Sequence, residues 1–309
     1  MNYFDLHCDT PYELFHKKIR FSGGDTHITA EKSRYLGKYA QIFDIWSDNK
    51  LTDDEAYSAF FEIYDNFMRE LDENPEFVLC RLSRDLAEAE KVGRRAAFLG
   101  VEGANLLGGD ISRLDELYSR GVRVLTLTWK GESCIGGAYG TDTGLTDFGR
   151  EVILRCEELG IAVDVSHGSD RLIEETVGLC ADGKIPAIAT HSNSRACCEH
   201  TRNLTDGLAK KIADAGGIIG ISFCRGHLSG AEVVTAGDVV RHLRHYLSLG
   251  LEDAICFGGD FDGAKLPDEM HDITYLYKIA ECAEKSGIGR GILDKVFYGN
   301  ARGFFEKYM

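Results

Sequence analysis

Four times along this chain a helical pattern runs into a glycine and turns at once into an apolar run: Arg120-Gly121-Val122, Leu159-Gly160-Ile161, Ala215-Gly216-Gly217 and Leu249-Gly250-Leu251. Glycine tolerates the left-handed conformation that ends a helix, so repeated use of one αβ junction predicts a βα repeat. Short apolar runs followed by helical spacing lie at 3–8, 39–45, 96–101, 122–128, 161–166, 186–191, 217–223 and 254–259. Such runs read as parallel strands buried on both faces, and eight is the number of a (β/α)8 TIM-type barrel. The expected fold class is α/β, with one barrel domain over 1–309. A barrel commonly runs to about 250 residues or more, so this length does not demand two domains.

The spacing departs from a plain repeat between the second and third strands, where a helical insertion is expected. Thr52 and Glu55 fit a capping box, and Ala56, Phe60, Ile63, Phe67 and Leu71 recur at helical spacing; a second helix is expected over 84–94. The stripe Phe60, Phe61, Tyr64 and Phe67 reads as core or subunit interface. Gly131 to Gly149, after the fourth strand, is too long for a plain connection and would form a wall or lid over a substrate. Two helices, over 271–286 and 291–307, complete the pattern.

Five of the apolar runs end in side chains of metal-ligand type. His7 and Asp9 close the first, Glu102 closes Phe98 to Val101, His167 closes Ile161 to Ser166, His191 closes Ala187 to Thr190, and Asp260 closes Ile255 to Gly259. In a barrel, all of these strand ends meet at one rim. His7 and Asp9 are one residue apart, so on a strand both face the same way and could hold one ion. His167 and His191 end successive strands and could hold another. Glu102 has two oxygens and could bridge ions about 3.5–4 Å apart. Alternation turns Cys8 to the opposite face. Taken singly, His7 or His191 reads as a hydrogen-bonded structural histidine, Glu102 as the partner of a buried arginine, Asp260 as a helix cap and Arg202 as half of a surface ion pair. Coincidence at five strand ends favours the metal reading. Asp262 reads as a loop support accepting backbone hydrogen bonds, and His16, His27, His227, His242 and His245 as surface residues.

Composition excludes several partner classes. With 35 Lys plus Arg against 50 Asp plus Glu, the net charge of −15 would repel a nucleic-acid backbone or an anionic membrane. No apolar run approaches the roughly 20 residues of a membrane span, and the first strand begins almost at Met1, so a cytoplasmic protein is expected. The ten cysteines form no Cys-x-x-Cys pair and are expected to be free and mostly buried.

Read together, Phe4-Asp5-Leu6-His7-Cys8-Asp9-Thr10-Pro11, Gly100-Val101-Glu102-Gly103, Leu125-Thr126-Leu127-Thr128, Asp164-Val165-Ser166-His167, Thr190-His191-Ser192-Asn193, Arg202-Asn203 and Gly258-Gly259-Asp260-Phe261-Asp262-Gly263 resemble the membrane (renal) dipeptidase family of zinc metallopeptidases over nearly the whole chain. The resemblance implies a (β/α)8 barrel with two zinc ions, His7 and Asp9 on one, His167 and His191 on the other, and Glu102 bridging. It implies hydrolysis of the dipeptide bond by a zinc-bridging hydroxide, with Asp260 handling protons and Arg202 holding the substrate carboxylate. Mixed His and carboxylate ligands would also accept manganese or cobalt. A homodimer acting on small dipeptides is the family expectation. The alternatives are hydrolysis of N-acyl amino acids, including those of D configuration, and a catalytically silent binding barrel. Two positions depart from the family pattern. Trp129, followed by Lys130, stands where some relatives carry a substrate-contacting histidine, and Cys224 stands where the family has a tyrosine near the end of the seventh strand.

Overall fold

Every strand in this protein pairs in parallel, as runs buried on both faces require. A computed structural model describes all residues except Asn49 and Asp182. The strands are β1 (Tyr3–Cys8), β2 (Tyr39–Trp46), β3 (Phe77–Leu79), β4 (Arg95–Glu102), β5 (Val122–Thr126), β6 (Ala162–Asp164), β7 (Ile219–Ile221) and β8 (Ile255–Phe257). Their pairing runs β6-β5-β4-β2-β1-β8-β7, with β3 attached to β4 off this path. Parallel bridges Asp164↔Ile188 and Ala189↔Ile219 join the two ends, so segment 186–191 is the remaining stave of a closed (β/α)8 barrel.

The stave at 186–191 is held by isolated bridges, for a physical reason. Its Thr190 N–H is taken by the Asp164 carboxylate at 2.8 Å and its His191 N–H by Ser166 Oγ at 3.1 Å, side chains standing in for ladder carbonyls. The insertion holds helices Asp53–Asp72 and Ser83–Lys91, with β3 between them. Three residues are too few to show a period, so β3 could not be read beforehand. All four predicted junction glycines adopt positive φ: Gly121 (109°), Gly160 (79°), Gly216 (91°) and Gly250 (79°). Past helix Leu276–Lys285, the predicted last helix is Arg290–Asp294 and Asn300–Tyr308 joined by a wide π turn over Lys295–Gly299.

The barrel interior is packed by Phe4, Ile42, Ala96, Phe98, Val124, Ala162, Ile188 and Cys256. Phe305 of the last helix closes its lower end, with ring centroids 4.9 Å from Phe4 and 4.6 Å from Phe98. The insertion packs outside, with Phe60 and Phe67 fully buried as core. Its long helix begins with the predicted capping box: Thr52 Oγ1 accepts from Glu55 N–H at 3.3 Å, and Glu55 Oε2 accepts from Thr52 N–H at 2.8 Å. Thr52→Ala is expected to lower stability by about 1 kcal/mol in chemical denaturation without changing catalysis. An unchanged midpoint would mean that the box adds nothing to the folded state.

Candidate active site

The site starts from an irregularity in β1. Phe4 and Leu6 belong to the interior cluster, and strict alternation from them would send His7 outward. The β1–β2 register runs Asp5↔Gln41 and then Cys8↔Phe43, so β1 carries one extra residue. This bulge rephases the strand, turning His7 inward while Cys8 joins the outer core. From the neighbouring strands, Asp44 of β2 and Glu102 of β4 reach the same interior. Gly100 makes room for them, since a Cβ there would lie 2.0 Å from Asp44 Oδ1.

Three histidines converge on one carboxylate oxygen. Glu102 Oε1 lies 3.5 Å from His7 Nε2, 3.0 Å from His167 Nε2 and 3.3 Å from His191 Nε2. The other ring nitrogens fix the tautomers. His167 Nδ1 faces the Trp129 carbonyl at 3.1 Å, which can only accept, so Nδ1 carries the proton. His191 Nδ1 meets Thr190 Oγ1 at 2.8 Å, and that hydroxyl donates onward to Asp164 Oδ2 at 2.7 Å, so His191 again donates from Nδ1. His7 Nδ1 lies 2.9 Å from Asp44 Oδ2. All three Nε2 atoms therefore point into one space shared with Glu102 and Asp9, whose Oδ2 is 3.4 Å from His7 Nε2. Carboxylate or carbonyl acceptors behind ring N–H groups are the outer shell that orients metal-ligating imidazoles.

This donor set fits metal. His7, Glu102 and His191 form one group of mutually close ligand atoms, and His7, Asp9 and Asp260 another. His7 Nε2 and Asp9 Oδ1 are buried without a hydrogen-bond partner, and the His167 and His191 Nε2 atoms approach to 2.9 Å with no proton between them in the tautomers above. The electrostatics agree. Burial holds Glu102 well above its usual range and the Asp9 charge adds to it; burial likewise pushes Asp44 and Asp260 up to about 6. Burial opposes charge on His7, yet Asp44, Glu102 and Asp9 outweigh it and hold His7 well above its ordinary value. His167 and His191 are pushed well below theirs, by burial first and by neighbouring cations second. A cluster of buried carboxylates that retains protons in this way is one that cations stabilise by replacing them.

The strand ends also carry backbone strain. His167 (φ 67°), Asp260 (58°) and Asp262 (68°) are non-glycine residues in the left-handed region, a conformation that costs on the order of 1–3 kcal/mol per residue and gathers at functional sites. Asp260 N–H is held by the His7 carbonyl at 3.1 Å. Its Oδ1 lies 4.0 Å from His7 Nε2. Gly263 is needed beside it: a Cβ there would sit 1.9 Å from Asp9 Oδ2 and 2.6 Å from Asp260 Oδ1. The Thr190 carbonyl crowds Gly258 in the same way, at 1.8 Å from a Cβ. Asp262 supports the loop, as expected, accepting from His27 N–H and Thr10 Oγ1, each at 2.6 Å.

A cavity of about 330 Å³ opens above these groups, lined by Asp9, Glu102, His167 and Asp260 and walled by Trp46, Trp129, Tyr139, Cys224 and His227. Trp129 packs on Trp46 with centroids 5.1 Å apart. The Gly131–Gly149 segment contributes Tyr139, whose N–H is held by the His167 carbonyl at 2.7 Å. Arg202 is not on the surface. It is buried, donating to Ser192 Oγ at 2.9 Å and to the His191 carbonyl at 2.8 Å, and its Nε has no partner. Three histidines expected at the surface are elsewhere. His242 is fully buried, bonded to Ser194 N–H and near the Leu228 carbonyl; His27 is half-buried against Asp262; and His227 lines the cavity. The ten cysteines are all free, half of them fully buried and half partly so. Sequence reading missed Asp44 and Asp164. The signal was present, since an aspartate in the middle of Phe43-Asp44-Ile45 or Val163-Asp164-Val165 has no place in a buried strand unless something pairs with it.

A closed parallel barrel with a histidine and carboxylate cluster at its C-terminal rim defines a metal-dependent hydrolase. Residues 1–306 match the membrane dipeptidase family, peptidase family M19, and the chain belongs to that family. A protein in the pqqA 5′ region of Klebsiella pneumoniae is 30% identical over 237 residues, 72% of this chain and 85% of that protein. Dipeptidase 3 of Rattus norvegicus is 27% identical over 321 residues, 98% of this chain but 64% of the rat protein, so this chain spans less than two thirds of that relative. The crystal structure of a metallo peptidase from Rhodobacter sphaeroides, liganded with a phosphinate mimic of the dipeptide L-Ala-D-Ala, is similar with a TM-score of 0.91 at 23% identity, covering 100% of this chain and 99% of that one. Among the described residues, no helix is long and apolar enough to cross a membrane.

Proposed function

We propose that this protein hydrolyses the peptide bond of dipeptides with two zinc ions, one held by His7 and Asp9, the other by His167 and His191, and both by Glu102. The observation that carries the reading is the convergence of three histidine Nε2 atoms on one Glu102 oxygen, with the Trp129 carbonyl behind His167, the Thr190 hydroxyl behind His191 and the Asp44 carboxylate behind His7. When bound, such ions supply a strong nucleophile at neutral pH and polarise a carbonyl. The protein's own groups do the rest. Asp260, at the cavity wall, takes the proton of the attacking water and passes it to the leaving amine. Arg202, with a buried and unpartnered Nε, receives the C-terminal carboxylate of the substrate. Trp129 and Trp46 form an aromatic wall against which the substrate lies. A cavity of about 330 Å³ has room for a ligand of two residues. The dipeptide mimic bound by the Rhodobacter sphaeroides enzyme supports this class of substrate.

The test is elemental analysis of the purified protein coupled to a dipeptide panel with both C-terminal configurations, each with a free and an acetylated N-terminus. Two equivalents of zinc and turnover of the free dipeptides are expected, with loss of activity on chelation and recovery on adding zinc back. Turnover confined to the acetylated series would replace a dipeptidase with an N-acyl amino acid hydrolase.

A further inference from the structure

One imidazole in the cavity wall belongs to none of the groups assigned above. His227 sits in the short helix Arg225–Leu228 that follows β7, and it faces the cavity together with Tyr139, Cys224 and Asp260. Its position is built, not incidental. Asn203 Nδ2 donates both to the His227 carbonyl at 2.9 Å and to the Cys198 carbonyl at 2.8 Å, tying the segment that carries Arg202 to the one that carries His227. The His227 ring packs on His200, with centroids 4.7 Å apart, and His200 Nδ1 in turn accepts the Arg202 backbone N–H at 3.1 Å. Among the described residues His227 hydrogen-bonds only through its backbone, so its ring N–H is uncommitted.

Arg202 lies beside Asn203 on the other of the two segments that Asn203 ties together. Its two terminal nitrogens are anchored to Ser192 and to the His191 carbonyl, while Nε is buried with no partner. A buried guanidinium N–H without a partner among the described residues and an uncommitted imidazole N–H on the cavity wall, in segments that Asn203 ties together, suit a planar anion with two acceptor oxygens. We infer that His227 is a substrate-binding residue that donates its ring N–H to the C-terminal carboxylate of the dipeptide beside Arg202. Burial, then the Arg202 charge, pushes the His227 ring down to about 3, so it serves as a neutral donor that brings no second positive charge next to Arg202. The inference rests on the dipeptidase reading and adds to Arg202 a second carboxylate donor, from a different segment of the chain.

The test compares alanyl-alanine of both C-terminal configurations with the matching C-terminal carboxamides, using the zinc-loaded full chain and its His227→Ala and His227→Gln variants. His227→Ala is expected to reduce the acid-over-amide ratio of kcat/KM by about tenfold, chiefly through KM, the loss proper to one hydrogen bond to a charged group. His227→Gln, which keeps an N–H donor, should recover part of that ratio. Zinc content and thermal midpoint, measured alongside, separate this outcome from a folding defect. A ratio unchanged in both variants, or equal losses on acid and amide, overturns the inference alone. A wild-type chain that hydrolyses neither series overturns the dipeptidase reading, and the inference with it.

Discussion

Glu102→Gln is expected to reduce kcat/KM on dipeptides by on the order of 10³-fold or more, about 4 kcal/mol of transition-state stabilisation, while leaving the metal-free protein as stable as the parent. The two halves of this expectation have one origin. Burial, with the Asp9 charge behind it, holds Glu102 well above the usual carboxylate range, which favours the neutral acid in the metal-free chain, a form that glutamine closely resembles. Once cations enter, the carboxylate is the group on which His7, His167 and His191 all converge, and an amide cannot replace its charge. The charge on His7 is met first by Asp44; were Glu102 its main partner instead, the loss would strand a buried charge and lower metal-free stability by several kcal/mol. Calorimetry with and without zinc separates the two. The expected outcome is an unchanged metal-free midpoint and a reduced gain in midpoint on adding zinc, because ligand-linked stabilisation scales with affinity. Full activity with two bound ions per chain would remove Glu102 from the site.

How much of this was legible beforehand follows from the range of the forces involved. The barrel was readable because its signals are local: Gly121, Gly160, Gly216 and Gly250 end helices within a few residues of the strands they feed, and Thr52 with Glu55 marks a helix start on its own. The rim residues were readable because a strand end fixes where a side chain goes without knowledge of its neighbours. The acceptors behind them were not, because Asp44 acts through His7 of another strand and Asp164 through Thr190 of another, and neither pairing has a signature in one sequence. The bulge in β1 was hidden for the same reason. A register shift is a relation between Asp5, Cys8 and the facing Gln41 and Phe43, and periodicity within β1 alone is blind to it. His227 was misread because a histidine in a four-residue helix carries no pattern, and only the packing of His200 and the reach of Asn203 turn it toward the cavity.

Asp260→Asn tests whether the last strand end carries protons or metal, and its expected effect is a fall in kcat of about 10²–10⁴-fold with both zinc ions retained. The geometry permits either role, since Asp260 Oδ1 lies 4.0 Å from His7 Nε2, against 3.4 Å for Asp9 Oδ2, and His7, Asp9 and Asp260 form one group of close ligand atoms. Two observations favour the proton role. Asp260 and Glu102 both line the cavity, but Asp260 is the more exposed of the two, and its carboxyl is pushed up to about 6 by burial, with Asp9 adding to the shift and His7 and Arg202 opposing it. A carboxylate with a raised pKa accepts a proton readily near neutrality and can still release it to a leaving amine. The sign of the pH dependence follows: the base must start ionised, so activity rises as pH passes upward through the Asp260 pKa, and bound cations move that limb to lower pH. In the asparagine variant the limb attributable to this group should vanish from the kcat profile, while zinc content stays at two per chain. Loss of one zinc ion with the pH profile otherwise unchanged would make Asp260 a ligand, and the proton would have to travel through another group in the cavity wall.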